Sequence, residues 1–464
     1  MRDNSGGRIL AATSISYAIV LLDASIVNVA LEQISGTLSS GVSGLQWIVN
    51  AYTLSFASCL MTGGTLGDRL GARNIYLAGL AVFTLTSALC GLAPNLGSLA
   101  LARALQGIGS AMLVPCSLAL ISQAYPDPGK RAAAIGMWMG CGGIAMASGP
   151  LLGGLLIHWF GWRSIFFVNL PLGLLGIGLT WQLPPSQALR GRHFDIAGQL
   201  TAIIALGSLI AVLIEAPLLG WRSAPIVAGI LTCAVFGLLF VRIETRQQQP
   251  MLPLAFFRNR LFTASALVSM ASALVFYGML FSFSIYYQRV LGYAPLQAGL
   301  AFLPMTVMVA VGGLFSGRMA GLFGARGSMC TAFCLYAAGA AGMLLVGPGS
   351  PYWFAVLPML AIGLASGFIS PAATAPAMDT VEKSRAGIAA AVLNSARQTG
   401  AALGVAIFGA VLATLQPFQH ALHLVLGMVA IVALAAALLW WFCAGPPARM
   451  REAQVPAKGR TLRQ

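Results

Sequence analysis

The chain is dominated by uninterrupted apolar runs that are as long as a lipid bilayer is thick. A membrane-spanning helix needs about 20 such residues, and the 464-residue chain supplies about fourteen runs of that length. Charged residues make up 8% of the sequence, against about 25% in soluble proteins. Lipid can accommodate this composition and water cannot, so the sequence predicts an all-α polytopic membrane protein.

The predicted spans are joined by short connections. Their limits are 9–31, 45–66, 74–93, 97–120, 131–157, 163–182, 196–217, 224–242, 261–288, 296–317, 327–346, 352–375, 388–413 and 420–443. The first run is too long for the apolar region of a signal peptide, and no A-x-A cleavage site follows it. We therefore expect an uncleaved first span.

Basic residues are concentrated in alternate loops. Of the 26 Lys and Arg, 21 fall on one predicted side of the membrane, and only Arg163, Arg222 and Arg289 fall on the other. Cytoplasmic loops carry the excess of positive charge, so both termini are predicted to be cytoplasmic. Basic loops that face anionic headgroups also explain the net charge of +15 without a nucleic-acid partner.

Asp23 is an isolated carboxyl inside the first apolar run. A charge at mid-bilayer costs about 2.5–3.5 kcal/mol, so an ionisable residue there indicates a functional site. Asp23 could hold a proton, a cation or a partner charge. Arg103 is similarly isolated in the fourth run, and a purely structural pair between the two remains an alternative.

The sequence gives little support for ATP hydrolysis as an energy source or for enzyme catalysis. None of Lys130, Lys383 and Lys458 stands in a GxxxxGK[ST] phosphate loop, and no HExxH or GxSxG motif occurs. The eight Cys form no CxxC pair and fall at apolar positions. We expect no enzyme activity, no metal and no cofactor. Work must then come from an ion gradient, or the protein only facilitates diffusion.

A weak internal repeat links the two halves of the chain. Residues 63–73 read GGTLGDRLGAR and residues 312–326 read GGLFSGRMAGLFGAR. Both segments begin with Gly-Gly, end with Gly-Ala-Arg and are predicted to lie on the cytoplasmic side. Duplication of a six-span unit would produce this pattern.

Four segments in order resemble the motifs of a known family. They are LDASIVNVAL (22–31), GTLGDRLGARN (64–74), LALARALQGIGSA (99–111) and ASGPLLGG (147–154). With them the chain resembles the major facilitator superfamily, and in particular its fourteen-span drug:proton antiporter branch of multidrug and antiseptic exporters. The resemblance implies a six-helix bundle (1–182), two extra central helices with linkers (183–260), a second six-helix bundle (261–443) and a disordered cytoplasmic tail (444–464).

The resemblance also implies roles for individual residues. Proton coupling would involve Asp23, Arg103 and Glu215, although Glu215 could equally be a solvated interface residue. Gating would involve Gly64, Asp68, Arg69, Gly71, Arg73, Gly149, Pro150, Gly153 and Gly154. The basic cluster after Gly71 is thinner than the family's usual pattern.

A substrate pocket is predicted from polar and aromatic residues within the spans, because aromatic faces bind organic cations. Its candidates are Asn28, Trp47, Tyr52, Gln106, Tyr277, Asn394 and Arg397.

The function predicted from these features is proton-driven antiport that exports drugs or other small amphipathic compounds across the bacterial inner membrane. A dedicated exporter of one metabolite or self-made antibiotic is the main alternative, and a non-transporting scaffold or sensor is a weaker one. The expected partners are the substrate, protons and the lipid bilayer, with no nucleic acid. We expect a monomer, with a periplasmic adaptor left open.

Overall fold

The computed structural model describes residues 3–183, 186, 195–247, 250–382 and 385–444. Every regular element within these ranges is a helix, as the apolar runs predict. The predicted tail, apart from Ala444, lies outside the described residues, as do Lys383 and most of the linker that precedes residue 195.

The first half of the chain contains seven helices. They are α1 (Asp3–Leu38), α2 (Val42–Leu70), α3 (Ala72–Leu92), α4 (Leu96–Ala124), α5 (Pro128–Phe160), α6 (Ser164–Phe167) and α7 (Asn169–Trp181). Side-chain caps begin two of the long ones. Asn95 accepts from the Ser98 amide at α4, and Asp127 accepts from the Lys130 amide at α5, which satisfies amides that have no partner within the helix.

The remaining helices follow in the same manner. They are α8 (Ile196–Leu219), α9 (Ala224–Arg246), α10 (Arg260–Ile285), α11 (Pro295–Ala301), α12 (Leu303–Leu344), α13 (Trp353–Asp379), α14 (Ala386–Thr414) and α15 (Phe418–Cys443). A short 3₁₀ helix, Leu254–Arg258, precedes α10, and a π-helical turn, Tyr286–Val290, extends it.

Twelve helical segments of the described chain are long and apolar enough to cross a membrane, which confirms a multi-pass membrane protein. The 29-residue α2 is not among the twelve, although it covers a predicted span. One of the twelve, Pro295–Leu344, is 50 residues long. A helix of that length would measure about 75 Å, more than twice the hydrocarbon thickness of about 30 Å.

The two copies of the predicted repeat share a backbone feature. Gly71, between α2 and α3, has φ 91°, and Gly324, inside the long α12, has φ 69°. Positive φ favours glycine and interrupts a right-handed helix. Gly324 therefore divides α12 at the point where two predicted spans were expected to be joined by a loop.

The arginine that ends each copy contacts the end of a later helix. Arg73 donates from Nη2 to the Trp181 carbonyl oxygen at the end of α7, at 2.7 Å. The Arg326 guanidinium lies 3.8 Å from the ring centroid of Trp441, near the end of α15. The repeat thus extends beyond sequence to similar tertiary contacts in the two halves.

The two halves meet along a seam between α2 and α14. Gln46 on α2 donates from Nε2 to the carbonyl oxygens of Val405 and Ala406, at 3.0 and 2.8 Å. Ser395 on α14 donates to the Ala57 carbonyl oxygen at 2.8 Å. These bonds between side chains and backbone hold the helices close together.

The helix pair α8 and α9 packs on the outside of this seam. Gln199 at the start of α8 donates to the Ser58 carbonyl oxygen of α2 at 2.9 Å. Further along, Ile210 and Ile214 of α8 pack with Ala402 and Ala406 of α14. Helix α8 therefore contacts both halves.

One end of the bundle carries Arg69, Lys130, Arg258 and Arg385 at or near helix ends and Arg318 shortly before the break at Gly324, and we call it the basic end. At the opposite end, the two halves are in direct contact. Arg289 Nε lies 2.6 Å from Glu32 Oε2, and Arg289 Nη2 donates to Ser35 Oγ at 2.8 Å. Gly154 of α5 packs there against the backbone of α11.

The contact at Gly154 makes a testable prediction. A Cβ at this position would lie 2.8 Å from Leu296 Cα and from the Pro295 carbonyl oxygen, closer than side chains tolerate. We expect Gly154→Ala to separate the halves at this end, at a cost of about 1–3 kcal/mol to the closed state. The readout is maleimide labelling of a variant in which Asn28→Cys supplies the only cysteine, because position 28 lies where α1 meets α10. Adding Gly154→Ala to this variant should accelerate its labelling by about 5- to 150-fold.

Gly143 on the same helix provides the matched control, since a Cβ there would meet nothing within 4 Å. Gly143→Ala should leave labelling unchanged. Equal labelling rates in the two variants would contradict the close packing of α5 on α11.

Candidate functional site

The isolated carboxyl of α1 and the isolated guanidinium of α4 form an ion pair. Arg103 Nη1 donates to Asp23 Oδ2, and the exposed fractions of the two side chains are 1% and 0%. A buried ion pair is tolerated only where the remaining lone pairs and protons also find partners. The surroundings of Asp23 and Arg103 meet that condition.

The second oxygen of Asp23 is held by two amides. Asp23 Oδ1 accepts from Gln106 Nε2 at 3.0 Å and from Asn169 Nδ2 at 3.1 Å. Gln106 also donates to Ser87 Oγ at 2.7 Å and accepts from Arg103 Nη1 at 2.6 Å. Both Asp23 oxygens are therefore occupied within one connected network.

The guanidinium is enclosed from a third side by α2. Arg103 Nε donates to the Ile48 carbonyl oxygen at 3.3 Å, and its Cζ lies 4.3 Å from the Tyr52 ring centroid. The Tyr52 hydroxyl in turn shares a hydrogen bond with Ser110 Oγ at 2.8 Å. A cation over an aromatic face in a desolvated site gains about 2 kcal/mol. Side chains from α1, α2, α3, α4 and α7 thus meet at one buried centre.

The protonation state of Asp23 affects the contacts between the helices that surround it. An ionised Asp23 matches its donors, because all of its partners present N–H groups. Protonation places a hydrogen on one oxygen and removes the charge that holds Arg103. A change in the charge of Asp23 would therefore alter contacts among five helices.

The third predicted coupling residue lies elsewhere. Glu215, near the end of α8, accepts from Trp47 Nε1 at 2.7 Å. Both side chains are partly exposed, and Trp47 belongs to the same apolar cluster as Leu54 and Leu403. Glu215 therefore joins the α8–α9 pair to α2 and does not belong to the Asp23 network.

A cavity of about 1330 Å³ extends from the basic end into the bundle. Its walls come from the ends of α2 and α4, from the 3₁₀ helix and from the start of α14. Asp68 contributes to the wall from the first half, and Arg258 and Arg385 contribute from the second. Asp68, which was predicted to act in gating, thus faces the same space as two basic residues of the second half, while Arg69 is exposed outside it.

Most of the glycines predicted to act in gating lie where two helices pack closely. Gly64 would place a Cβ 3.5 Å from Pro115 of α4. On α5, Gly149 faces Ser25 and Gly153 faces Ile26, both on α1, and Gly299 of α11 packs against the carbonyl of Pro150. The Gly-Pro segment therefore packs against α1 of its own half and against the second half.

Arg397 lies beyond the deep end of the cavity. It donates from Nη1 to Ser370 Oγ at 2.5 Å and from Nη2 to Asn394 Oδ1, and Asn394 lines the cavity. Tyr277 of α10 and Tyr17 of α1 lie within electrostatic reach of its guanidinium. These residues bring polar groups from both halves toward the middle of the bundle.

The structure separates the other predicted pocket residues from this space. Tyr52 and Gln106 are buried in the Asp23 network, and Asn28 bonds to the Ala24 carbonyl oxygen of its own helix at 3.1 Å. None of the three lines the cavity. Sequence reasoning also missed Ser87 and Asn169, which look like ordinary small polar residues within apolar runs.

Among the described residues, no group of three or more His, Cys, Asp or Glu could hold a metal ion.

Comparison with known proteins agrees with this architecture. The sequence profile of the Major Facilitator Superfamily matches residues 13–194 and 196–405. The chain belongs to this superfamily. Its members are membrane transporters, so the chain is a transporter of this superfamily rather than an enzyme.

Two relatives resemble this member of the superfamily over most of their length. The methylenomycin A resistance protein of Streptomyces coelicolor is 34% identical over 97% of this chain and 94% of its own. The multidrug resistance protein Stp of Mycobacterium tuberculosis is 39% identical over 88% of this chain and 77% of its own. A D-xylose–proton symporter of known structure shares the fold, with a TM-score of 0.69, 13% identity and coverage of 94% and 98%.

The buried pair predicts a specific pattern of stabilities. Asp23→Asn leaves Arg103 charged and without a counter-ion, which should cost about 3–5 kcal/mol. Arg103→Met added to Asp23→Asn removes the second charge and should recover much of that loss. Thermal unfolding of the purified proteins in detergent measures both effects, and an Asp23→Asn variant as stable as wild type would contradict the ion pair.

Proposed function

We propose that this chain is a proton-driven antiporter that exports small organic compounds, a drug or an antibiotic among them. The observation that carries the proposal is the buried Asp23 network, in which a single carboxyl group is connected to side chains from five helices. The names of the relatives, a methylenomycin A resistance protein and a multidrug resistance protein, support export as the direction.

We propose that the chain crosses the bacterial cytoplasmic membrane fourteen times, as in the drug:proton antiporter branch. Two features support this number beyond the twelve apolar helical segments. The 29-residue α2 is long enough to cross, and Gly324 divides a segment that is too long for a single crossing. The even number places both termini on one side, and the positive loops favour the cytoplasm for the basic end.

The domain arrangement follows from this topology. Residues 1–182 and 261–443 form the two six-helix bundles, and 183–260 supplies the two extra central helices. Contacts of α8 with both α2 and α14 support the central placement. We expect the chain to act as a monomer in the bilayer, with the substrate and protons as its ligands.

The contacts between the halves support an inward-open state. The halves touch at the opposite end through Glu32 and Arg289, and the cavity reaches the basic end. Substrate would enter the cavity from the cytoplasm. In the outward-open state the cavity walls, which include Asp68 of the first half and Arg258 and Arg385 of the second, would approach each other.

Helix α1 provides the link between proton and gate. It carries Asp23, and nine residues later Glu32, whose partner Arg289 belongs to the second half. Nine residues of helix measure about 13.5 Å, so a shift of α1 at the proton site reaches the contact directly. A proton that arrives from outside would neutralise Asp23, release Arg103 and loosen the closed end.

The free energy released by proton entry limits how far substrate can be exported against its gradient. One charge moved through 100 mV yields about 2.3 kcal/mol, and one pH unit yields about 1.4 kcal/mol. Exchange of one proton for a neutral compound uses both terms, whereas exchange for a monovalent cation uses the pH difference alone. Asp23 as the single deep acid of the network supports one proton at that site per cycle.

A dedicated exporter of one antibiotic is the second candidate. It is favoured by the methylenomycin A resistance protein, because that relative matches nearly the full length of both chains. Both candidates use the same proton site and differ only in the residues that select the substrate.

The first test is efflux of ethidium from energised cells. Asp23→Asn should abolish efflux against a gradient, because the amide cannot take up and release the proton. Collapse of the proton gradient should abolish it in wild type. Undiminished uphill efflux by the variant would reject Asp23 as the coupling group.

Asp127→Asn is the matched control for this substitution. Asp127 is an exposed carboxyl that caps α5 through the Lys130 amide at 2.8 Å. Asn caps a helix as well as Asp does, so efflux by this variant should equal that of wild type.

A second prediction concerns the closed end. Arg289→Glu places like charges opposite each other, and a second change, Glu32→Arg, restores an opposite pair. Both groups are about one-third exposed, so the pair contributes at most about 1 kcal/mol, or roughly a fivefold effect. The efflux rate of Arg289→Glu should decrease by no more than about fivefold. The rate of the double variant, which also carries Glu32→Arg, should return towards that of wild type. No recovery would show that Arg289 acts through other contacts.

A further inference from the structure

Two carboxyl groups meet at the basic end, where α8 begins and α9 ends. Asp195 caps α8, and its Oδ1 accepts from the Gly198 amide at 2.7 Å and from Gln247 Nε2 at 2.8 Å. Glu244 lies in the last turn of α9, and its Oε2 accepts from the Leu252 amide at 3.0 Å. The exposed fractions are 8% for Asp195 and 3% for Glu244.

The other oxygen of each carboxyl has no donor. Asp195 Oδ2 and Glu244 Oε1 are both buried without a hydrogen-bond partner among the described residues. Both crowd the point where a Cβ on Gly198 would lie, Glu244 Oε1 at 2.8 Å. Because both unpaired oxygens crowd this one point, they lie close to each other.

No described cation neutralises this pair. Arg242 and Arg246 of α9 are exposed, and Arg258 and Arg385 line the same cavity, as does the acidic Asp68. Neither carboxyl forms an ion pair with any of these groups. The two carboxyls therefore lie side by side, mostly out of water, with no counter-charge from the described part of the chain in direct contact.

A single proton satisfies this geometry. Two adjacent buried carboxylates repel each other, so such pairs retain one proton between them. A proton on one oxygen makes it a donor to the other and fills both vacant positions at once. A divalent metal would need about six oxygen ligands, and the pair offers two unpaired oxygens.

We propose that Asp195 and Glu244 share one proton and form a second proton-binding site, at the cytoplasmic mouth of the cavity and separate from Asp23. The shared proton joins the start of α8 to the end of α9. Through the Leu252 amide it also fixes the connection that leads to α10.

The position of the site gives the proton a mechanical role. Met251, Pro253 and Leu254 of that connection line the cavity together with both carboxyls. Loss of the proton leaves two neighbouring negative charges, which separate by moving α9 and the connection away from α8. Proton occupancy from the cytoplasmic side thus sets the position of one wall of the cavity.

Infrared spectroscopy of the purified full-length protein at neutral pH tests the proposal without requiring transport. A protonated carboxyl has a C=O stretching band that shifts in heavy water. Asp195→Asn or Glu244→Gln should each remove one such band, because the remaining carboxyl then ionises. Asp127→Asn, which changes an exposed carboxyl, should leave the spectrum unchanged. A wild-type band that survives in both variants, or its absence from wild type, would overturn the proposal.

Stability against pH provides a second measurement. The proton is present at low pH and is lost as pH rises, and wild type then loses stability because the two charges repel. Glu244→Gln has no such repulsion, so its unfolding temperature should fall less between neutral and alkaline pH. Parallel curves for the two proteins would overturn the shared proton. Neither readout depends on export, so a failure here and a failure of the antiport proposal can be told apart.

Discussion

The bond between Asp23 and Arg103 is the constraint on which the first half depends. Neither charge is stable in a sealed apolar interior alone, and together they need further polar partners. Gln106, Ser87 and Asn169 supply those partners from three helices. The helices of this half are therefore positioned by polar geometry as well as by lipid, and a change at the carboxyl affects all of them.

The hydrogen-bond partners of each carboxyl also explain how the Asp23 network differs from the Asp195–Glu244 pair. Asp23 is surrounded by N–H donors and a cation, so its charged form fits the structure. Asp195 and Glu244 each have one oxygen with donors and one without. The surroundings of Asp23 suit an ionised carboxylate, which would release its partners when it is protonated. The Asp195–Glu244 pair instead suits a carboxyl that is already protonated.

Much of the fold could be predicted from the sequence. Apolar runs of bilayer length determine the helices, and each predicted span falls largely within one of them. The predicted connection between spans 296–317 and 327–346 coincides with the helix break at Gly324, where glycine has a positive φ like that of Gly71. Asp23 and Arg103 could be found because a charge in an apolar run is rare. Ser87 and Asn169 could not, since uncharged polar residues are common in spans and only tertiary packing shows which of them meet a charge. The separation of Glu215 from this network, and the burial of Tyr52 away from the cavity, likewise depend on helix rotation.

The seam between α2 and α14 determines which motions the bundle permits. Its helices are joined by Gln46 and Ser395 to backbone carbonyls across the halves, and such bonds resist sliding. Rocking of the halves is therefore easiest about an axis along this seam, where displacements are smallest. Because α8 lies against that axis, two additional helices can be accommodated in the architecture without blocking the swing of either bundle.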